Sequence, residues 1–239
     1  GLYTDAGASS AYTGTPATTV YANPATAGSY TYTATATNAG CSSSSNVNLT
    51  VNACGGQTTL NLQLFLEGFY DAGSMRANMY DLGLSTDPTA TDDITVNLWS
   101  AGNLPNANPD FTTTAMLHTN GTATALFPAV VSGNSYYIAI KHRNSMETWS
   151  KLPVLFSSNT SYNFSNSLNN AYDDAVNPPM KQVGASVYAI YGGDINQDGG
   201  IDGADMNVID NQVGFYGYDL SDINGDGGTD GVDMNYVDN

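Results

Sequence analysis

Two stretches near the end of the chain match each other at a 28-residue offset: GDINQDGGIDGADMNVIDN, residues 193–211, and SDINGDGGTDGVDMNYVDN, residues 221–239. Each crowds four Asp residues into twelve positions. Such carboxylates repel by roughly a kcal/mol or more per pair at several ångströms, even when strongly screened, so the spacing needs a cause. An oxygen cage for a hard cation supplies one. It takes side chains from loop positions 1, 3, 5, 9 and 12, a backbone carbonyl from position 7, and a glycine at position 6 where the chain turns sharply. In the first copy these are Asp194, Asn196, Asp198, Asp202 and Asp205, the Gly200 carbonyl, and Gly199 at the turn. In the second they are Asp222, Asn224, Asp226, Asp230 and Asp233, the Gly228 carbonyl, and Gly227. Carboxylate and amide oxygens suit calcium, whereas zinc favours the His and Cys that this segment lacks. Two calcium ions are the expected cofactors, and an empty loop is expected to open.

Charge and composition agree with that reading. Twenty-two acids face only Arg76, Lys141, Arg143, Lys151 and Lys181, for a net charge of −17, which excludes a phosphate-binding surface and hence nucleic acid as a partner. Half of the acids follow Tyr191, where there is no Lys or Arg, so this segment is the one that calls for cations. Only 11% of residues are charged, while Thr, Ser, Asn, Gly and Tyr abound, a balance found in extracellular β modules. An extracellular or cell-surface location is expected. No apolar run approaches the roughly 18 residues of a membrane span. The opening GLYTDAG reads as mature chain from which any leader has gone. Cys41 and Cys54 are disulfide candidates: they can pair with each other, pair with cysteines outside this chain, or remain thiols.

Strand periodicity fills the rest of the chain. Residues 1–53 hold about three strands, including SYTYTATAT, with Tyr30, Tyr32, Ala34 and Ala36 on one face, and NVNLTVN, with Val47, Leu49 and Val51. Three strands cover one sheet and leave its apolar face open. Residues 54–59 read as a linker. From 60 to 191 the alternation is regular, with Leu60, Leu62, Leu64 and Leu66 inward and Phe65 outward, then Ile94, Val96 and Leu98, then Ala123, Ala125 and Phe127, then Tyr136, Ile138 and Ile140. Six or more such strands separated by turn signals predict an antiparallel sandwich. One short helix is expected in SMRANMYDLG, with Met75, Met79 and Leu82 on one face and Gly83 as its stop. Residues 192–239 form the last module, in which each loop leads into a helix marked by Met206, Ile209 and Val213, and by Met234 and Val237.

A loop followed by a helix, twice, without the usual entering helix, resembles the dockerin module of bacterial secreted proteins. That resemblance implies calcium dependence, and in cellulosomes docking onto cohesin. Where many cohesin-binding dockerins carry a Ser/Thr pair at loop positions 10 and 11, this chain has Gly203 and Ala204, then Gly231 and Val232, so cohesin is not carried over as a partner. Helices packed against the preceding sandwich are the alternative. YTGTPATTVYANPATAGSYTYTATATNAGC and NVNLTVNAC resemble the C-terminal half of Ig-like repeats in large surface proteins of Bacteroidetes-type bacteria. LFLEGFYDAGSMR and GNSYYIAIKHRNSMETWSK resemble the β domain that often precedes a dockerin-like tail there. The fold class implied is mainly β: a partial Ig-like sandwich plus an antiparallel β-sandwich, followed by a small α dockerin-like module with two EF-hand-type loops.

No GxSxG, HExxH or phosphate-binding loop is present, and nothing in the spacing supports Glu67 or Glu147 pairing with one of the many Asp residues as a glycosidase dyad. His142, in KHRN, is expected at the surface or a strand edge. The function expected is a non-enzymatic, calcium-stabilised structural or adhesive segment, whose open N-terminal sheet is completed by other copies of itself or by neighbouring domains of a longer chain. The alternative is a targeting appendage of a secreted polysaccharide-degrading enzyme, with Trp99, Trp149 and the tyrosines stacking on glycan.

Overall fold

The computed structural model describes residues 2–4, 7, 9–24, 28–51, 56–104, 108–173 and 177–238. The chain divides into two compact units, Gly1–Gly56 and Gln57–Asn239. Strands predominate up to Ala189, and the regular elements after it are helices.

In the first unit, β1 (Leu2–Tyr3) pairs with β2 (Tyr21–Ala22), and β3 (Gly28–Asn38) pairs with β4 (Cys41–Val51) in an unbroken antiparallel ladder from Gly28–Val51 to Asn38–Cys41. Ala39 and Gly40 both take positive φ, 48° and 85°, the backbone that a two-residue hairpin turn needs to match strand twist. Thr31, Thr33 and Thr35 bond across to Asn48, Asn46 and Ser44 at 2.8–3.0 Å, which fixes one face as a polar ladder. On the other face Tyr30 and Tyr32 stack at 6.4 Å, and Val47 beside them is 61% exposed. Cys41 is exposed at the start of β4, and Cys54, its candidate partner, lies outside the described residues.

The second unit begins at β5 (Gln57–Gln63), three residues inside the stretch read as a linker. Then come β6 (Tyr70–Asp71), β7 (Ser74–Met75), α1 (Asn78–Asp81), β8 (Ala90–Trp99), β9 (Phe111–His118), β10 (Thr122–Pro128), β11 (Ser135–His142), β12 (Ser145–Trp149), β13 (Val154–Leu155), β14 (Asn159–Asn163), β15 (Lys181–Gly184) and β16 (Val187–Ala189). Eight of these strands make one curled sheet in the order β12-β11-β8-β9-β10-β5-β14, with β13 beside β11. The inward residues are those that the alternation marks: Leu60, Leu62, Leu64, Leu66, Ile94, Val96, Leu98, Ala123, Ala125, Phe127, Tyr136, Ile138 and Ile140 are all buried in one core. The curled sheet thus closes over itself as a β-sandwich.

Three expectations are corrected. The sheet is mixed, not wholly antiparallel, because β14 runs parallel to β5 over Asn159–Asn163. Phe65 is buried: β5 ends at Gln63, alternation lapses, and the ring turns in to meet Tyr70 edge-on at 5.1 Å. The helix before Gly83 is four residues long, and the residue it buries is Asn78, since Met75 already belongs to β7.

The tail adds α2 (Gly203–Gln212) and α3 (Gly231–Met234), and it belongs to the same compact unit as the sandwich. Ile195, Ile209, Ile223 and Val237 form a small core of their own, with Met206 and Met234 against it. Val213 terminates α2 and is exposed, so the apolar stripe stops one turn earlier than expected. No helix among the described residues is long and apolar enough to cross a membrane.

Candidate functional site

Each loop is shaped by the short polar side chains that the repeat supplies. Asn196 Oδ1 accepts from Asp198 N–H at 2.8 Å, and Asn224 Oδ1 from Asp226 N–H at 2.7 Å. Asp198 and Asp226 then accept from Gly200 and Gly228 N–H at 3.0 and 3.1 Å. Such bonds to the amide two residues on make the chain turn. Gly199 and Gly227 both sit at φ 88°, the left-handed backbone that position 6 requires. Position 9 caps the helix that follows: Asp202 accepts from Ala204 N–H, and Asp230 from Val232 N–H, each at 2.7 Å. Position 12 folds back under the start of the loop. Asp205 Oδ1 accepts from Ile195 and Asn196 N–H at 2.8 and 3.1 Å, and its Oδ2 from Asp202 N–H at 3.0 Å. Asp233 repeats this with Ile223, Asn224 and Asp230 at 2.8, 3.1 and 2.9 Å.

This folding-back buries the first and last acids of both loops. Asp194 is 1% exposed, and Asp205, Asp222 and Asp233 are wholly buried. Among the described residues none of the four is in a salt bridge with Lys, Arg or His. Burial, reinforced by the Asp205 charge, raises the pKa of Asp194. Burial likewise raises Asp233 and pushes Asp222 up to about 6, against the amide of Gly227 and the charge of Arg143, which lower it. Asp222 has both oxygens occupied by Asp226 and Gly227 N–H, each at 3.1 Å. Its counterpart differs: Asp194 Oδ1 is buried and has no hydrogen-bond partner.

Among the described residues no three His, Cys, Asp or Glu side chains converge closely enough to hold a metal ion. The loop acids accept hydrogen bonds from the amides of their own loops. The donor set nevertheless fits a hard cation. It consists of oxygens only, it includes an orphaned buried carboxylate oxygen, and it carries buried negative charge that, among the described residues, no side-chain cation contacts in an ion pair.

No protein-family model and no curated protein matches the chain. Among solved structures, one chain of a type II cohesin–X–dockerin complex from Acetivibrio cellulolyticus, an N-terminal interface mutant, is similar at 17% sequence identity. The match has a TM-score of 0.43 and covers 76% of this chain and 93% of that one. A likeness this distant carries no argument about what the present chain binds.

The sandwich holds the second loop through a buried polar cluster that the alternation pattern could have revealed. Asp92 lies on the inward face of β8, in line with Ile94, Val96 and Leu98, and is fully buried. Arg143 Nε donates to Asp92 Oδ2 at 3.0 Å, and its guanidinium also donates to the Asp219 carbonyl and lies 4.4 Å from the centre of the Tyr218 ring. The Tyr218 hydroxyl donates to Asp92 Oδ1 at 2.6 Å. His142, expected at the surface, is buried because it continues the inward face of Tyr136, Ile138 and Ile140; its Nε2 is 3.2 Å from Asp92 Oδ2. Burial drives that imidazole toward its neutral form, so the charge facing Asp92 is that of Arg143. Asn144 adds bonds to the carbonyls of Leu220 and Asp222 at 3.1 and 2.9 Å.

Proposed function

We propose that residues 192–239 are a dockerin-like module binding two calcium ions, and that the chain is a non-enzymatic structural or adhesive segment of a secreted bacterial surface protein. The observation that carries this reading is the burial of Asp194, Asp205, Asp222 and Asp233 without a single ion pair, with Asp194 Oδ1 left without a partner. These carboxylates accept hydrogen bonds from loop amides, but buried negative charge that no ion pair meets still costs free energy unless it is protonated or meets a cation. Asp194, Asn196, Asp198, the Gly200 carbonyl and Asp205 would hold the first ion, and Asp222, Asn224, Asp226, the Gly228 carbonyl and Asp233 the second. Asp202 and Asp230, committed to their helix caps by one oxygen, would contribute through the other or through water. Free calcium about a hundredfold above the dissociation constant would add roughly 2.7 kcal/mol per site.

The tail's place in the sandwich unit supports an internal bracing role rather than docking onto cohesin. Strand addition by another copy is supported by the first unit, where β3 and β4 pair only with each other among the described residues and Val47 faces solvent. Calorimetry on chelator-stripped protein should register uptake of two calcium ions and a rise in melting temperature. The double variant Asp194→Ala, Asp222→Ala should lose both, together with calcium-dependent protection of the tail from protease; normal uptake in that variant would overturn the ligand set. Electron microscopy tests the assembly: monodisperse monomers without filaments at high concentration would remove strand addition between copies.

A further inference from the structure

The edge of the sandwich carries a site that the loops do not explain. An open cleft of about 580 Å3 is lined by Trp149 and Glu147 of β12, by Tyr172 and Tyr191, and by Gly199 and Ile201 of the first loop. That size is ordinary for a small-molecule site. Its main walls are fixed before anything binds. Trp149 Nε1 donates to Glu147 Oε1 at 2.6 Å, and the indole packs on Trp99 and Tyr137 with ring centres 5.5 and 6.4 Å away. Glu147 is held in turn by Lys141 at 3.0 Å. Groups locked this way lose little freedom on contact with a ligand. Tyr172 is 61% exposed and lies in a loop, so neither core packing nor strand formation accounts for it.

We infer that this cleft binds a neutral oligosaccharide, with the apolar face of a sugar ring on Trp149 or Tyr172 and its hydroxyls on Glu147, which Lys141 holds in place. Aromatic faces next to a paired acceptor and donor suit a ligand that has flat C–H faces and vicinal hydroxyls. A net charge of −17 repels polyanions, which excludes sulfated or phosphorylated chains. Gly199 and Ile201 flank the Gly200 carbonyl, so an ion in the first loop would also fix one wall of the cleft. This dependence on calcium, unlike the cleft itself, rests on the proposed calcium sites.

The test is calorimetry of the whole chain against neutral gluco-, xylo-, manno- and chito-oligosaccharides, with a sulfated oligosaccharide as control, in calcium and in chelator. At least one neutral sugar should bind in calcium. Tyr172→Ala should weaken it by about tenfold or more at unchanged melting temperature, and Trp149→Ala should weaken it further. If calcium uptake is normal and no neutral sugar binds, or only the sulfated one does, the cleft assignment is overturned while the calcium reading survives. Equal sugar affinity in calcium and chelator overturns the link to the first loop and leaves the cleft standing.

Discussion

The loops 194–205 and 222–233 contain the same acids at the same spacing and make nearly the same internal hydrogen bonds, yet they sit in different surroundings. In the first, Asn196, Asp198 and Gly199 face solvent; in the second, Asn224 and Gly225 are buried and the loop leans on the segment from Gly68 to Leu82. Position 4 shows how the sequence records this. Both copies need a left-handed residue there, at φ 60° and 69°. The first uses Gln197, whose side chain donates to the carbonyls of Asp194 and Ser145 at 2.6 and 3.2 Å. The second uses Gly225, where a Cβ would overlap the Phe69 ring. A duplicated motif keeps its acids and changes the residues between them to suit what it rests on.

The largest effect should come from breaking that contact. A Cβ at Gly68 would overlap the Ile223 carbonyl oxygen, backbone that has no side-chain freedom to yield. Gly68→Ala should therefore cost about 3 kcal/mol or more in urea denaturation, and calorimetry should find one calcium bound instead of two. Gln197→Gly in the first loop should cost no more than about 1 kcal/mol, because the lost side-chain hydrogen bonds are partly offset by glycine's ease in a left-handed backbone, and keep both ions. Equal losses would mean that the two loops are not differently supported.

Acid should next separate the loops through Asp92. Burial raises its pKa, but the His142 hydrogen bond, the charge of Arg143 and the Tyr218 hydroxyl outweigh this and hold it at about 2, below the ordinary 3.8. A folded-state pKa below the unfolded one gives stability that is complete above about pH 4 and is lost as pH falls toward 2. The amount is about 2 kcal/mol. Amide exchange in the second loop should therefore accelerate over that window more than in the first, and Asp92→Asn should abolish the difference.

Much of the sandwich was legible because its signal is local. Leu60 to Leu66 and Ile94 to Leu98 alternate, and alternation alone states which side chains enter the core. The same rule run one step further would have placed Asp92 and His142 inside; polarity argued otherwise, and a buried ion cluster is where composition misleads. The glycine turns of the two loops and the helices that follow them were legible from spacing. What was not legible was any fact set by another part of the chain: Phe65 turning in once β5 ends, β14 pairing parallel to β5, and the difference between two loops of one pattern. Gly68, more than a hundred residues from Ile223, has no local signature at all.

The smallest contrast concerns the caps. Asp202 and Asp230 make the same capping box with Asp205 and Asp233, and replacing either with Ala removes about 1 kcal/mol. The helices that they start are unequal, ten residues in α2 and four in α3. A single turn has almost no propagation to offset its nucleation, so α3 depends on its cap where α2 does not. In chelator, so that metal contacts play no part, Asp230→Ala should abolish amide protection across Gly231–Met234. Asp202→Ala should leave the second half of α2 protected by Ile209, buried in the small core. Retention of α3 protection in Asp230→Ala would show that packing of Met234 and Val237 on that core, rather than the cap, holds the last helix in place.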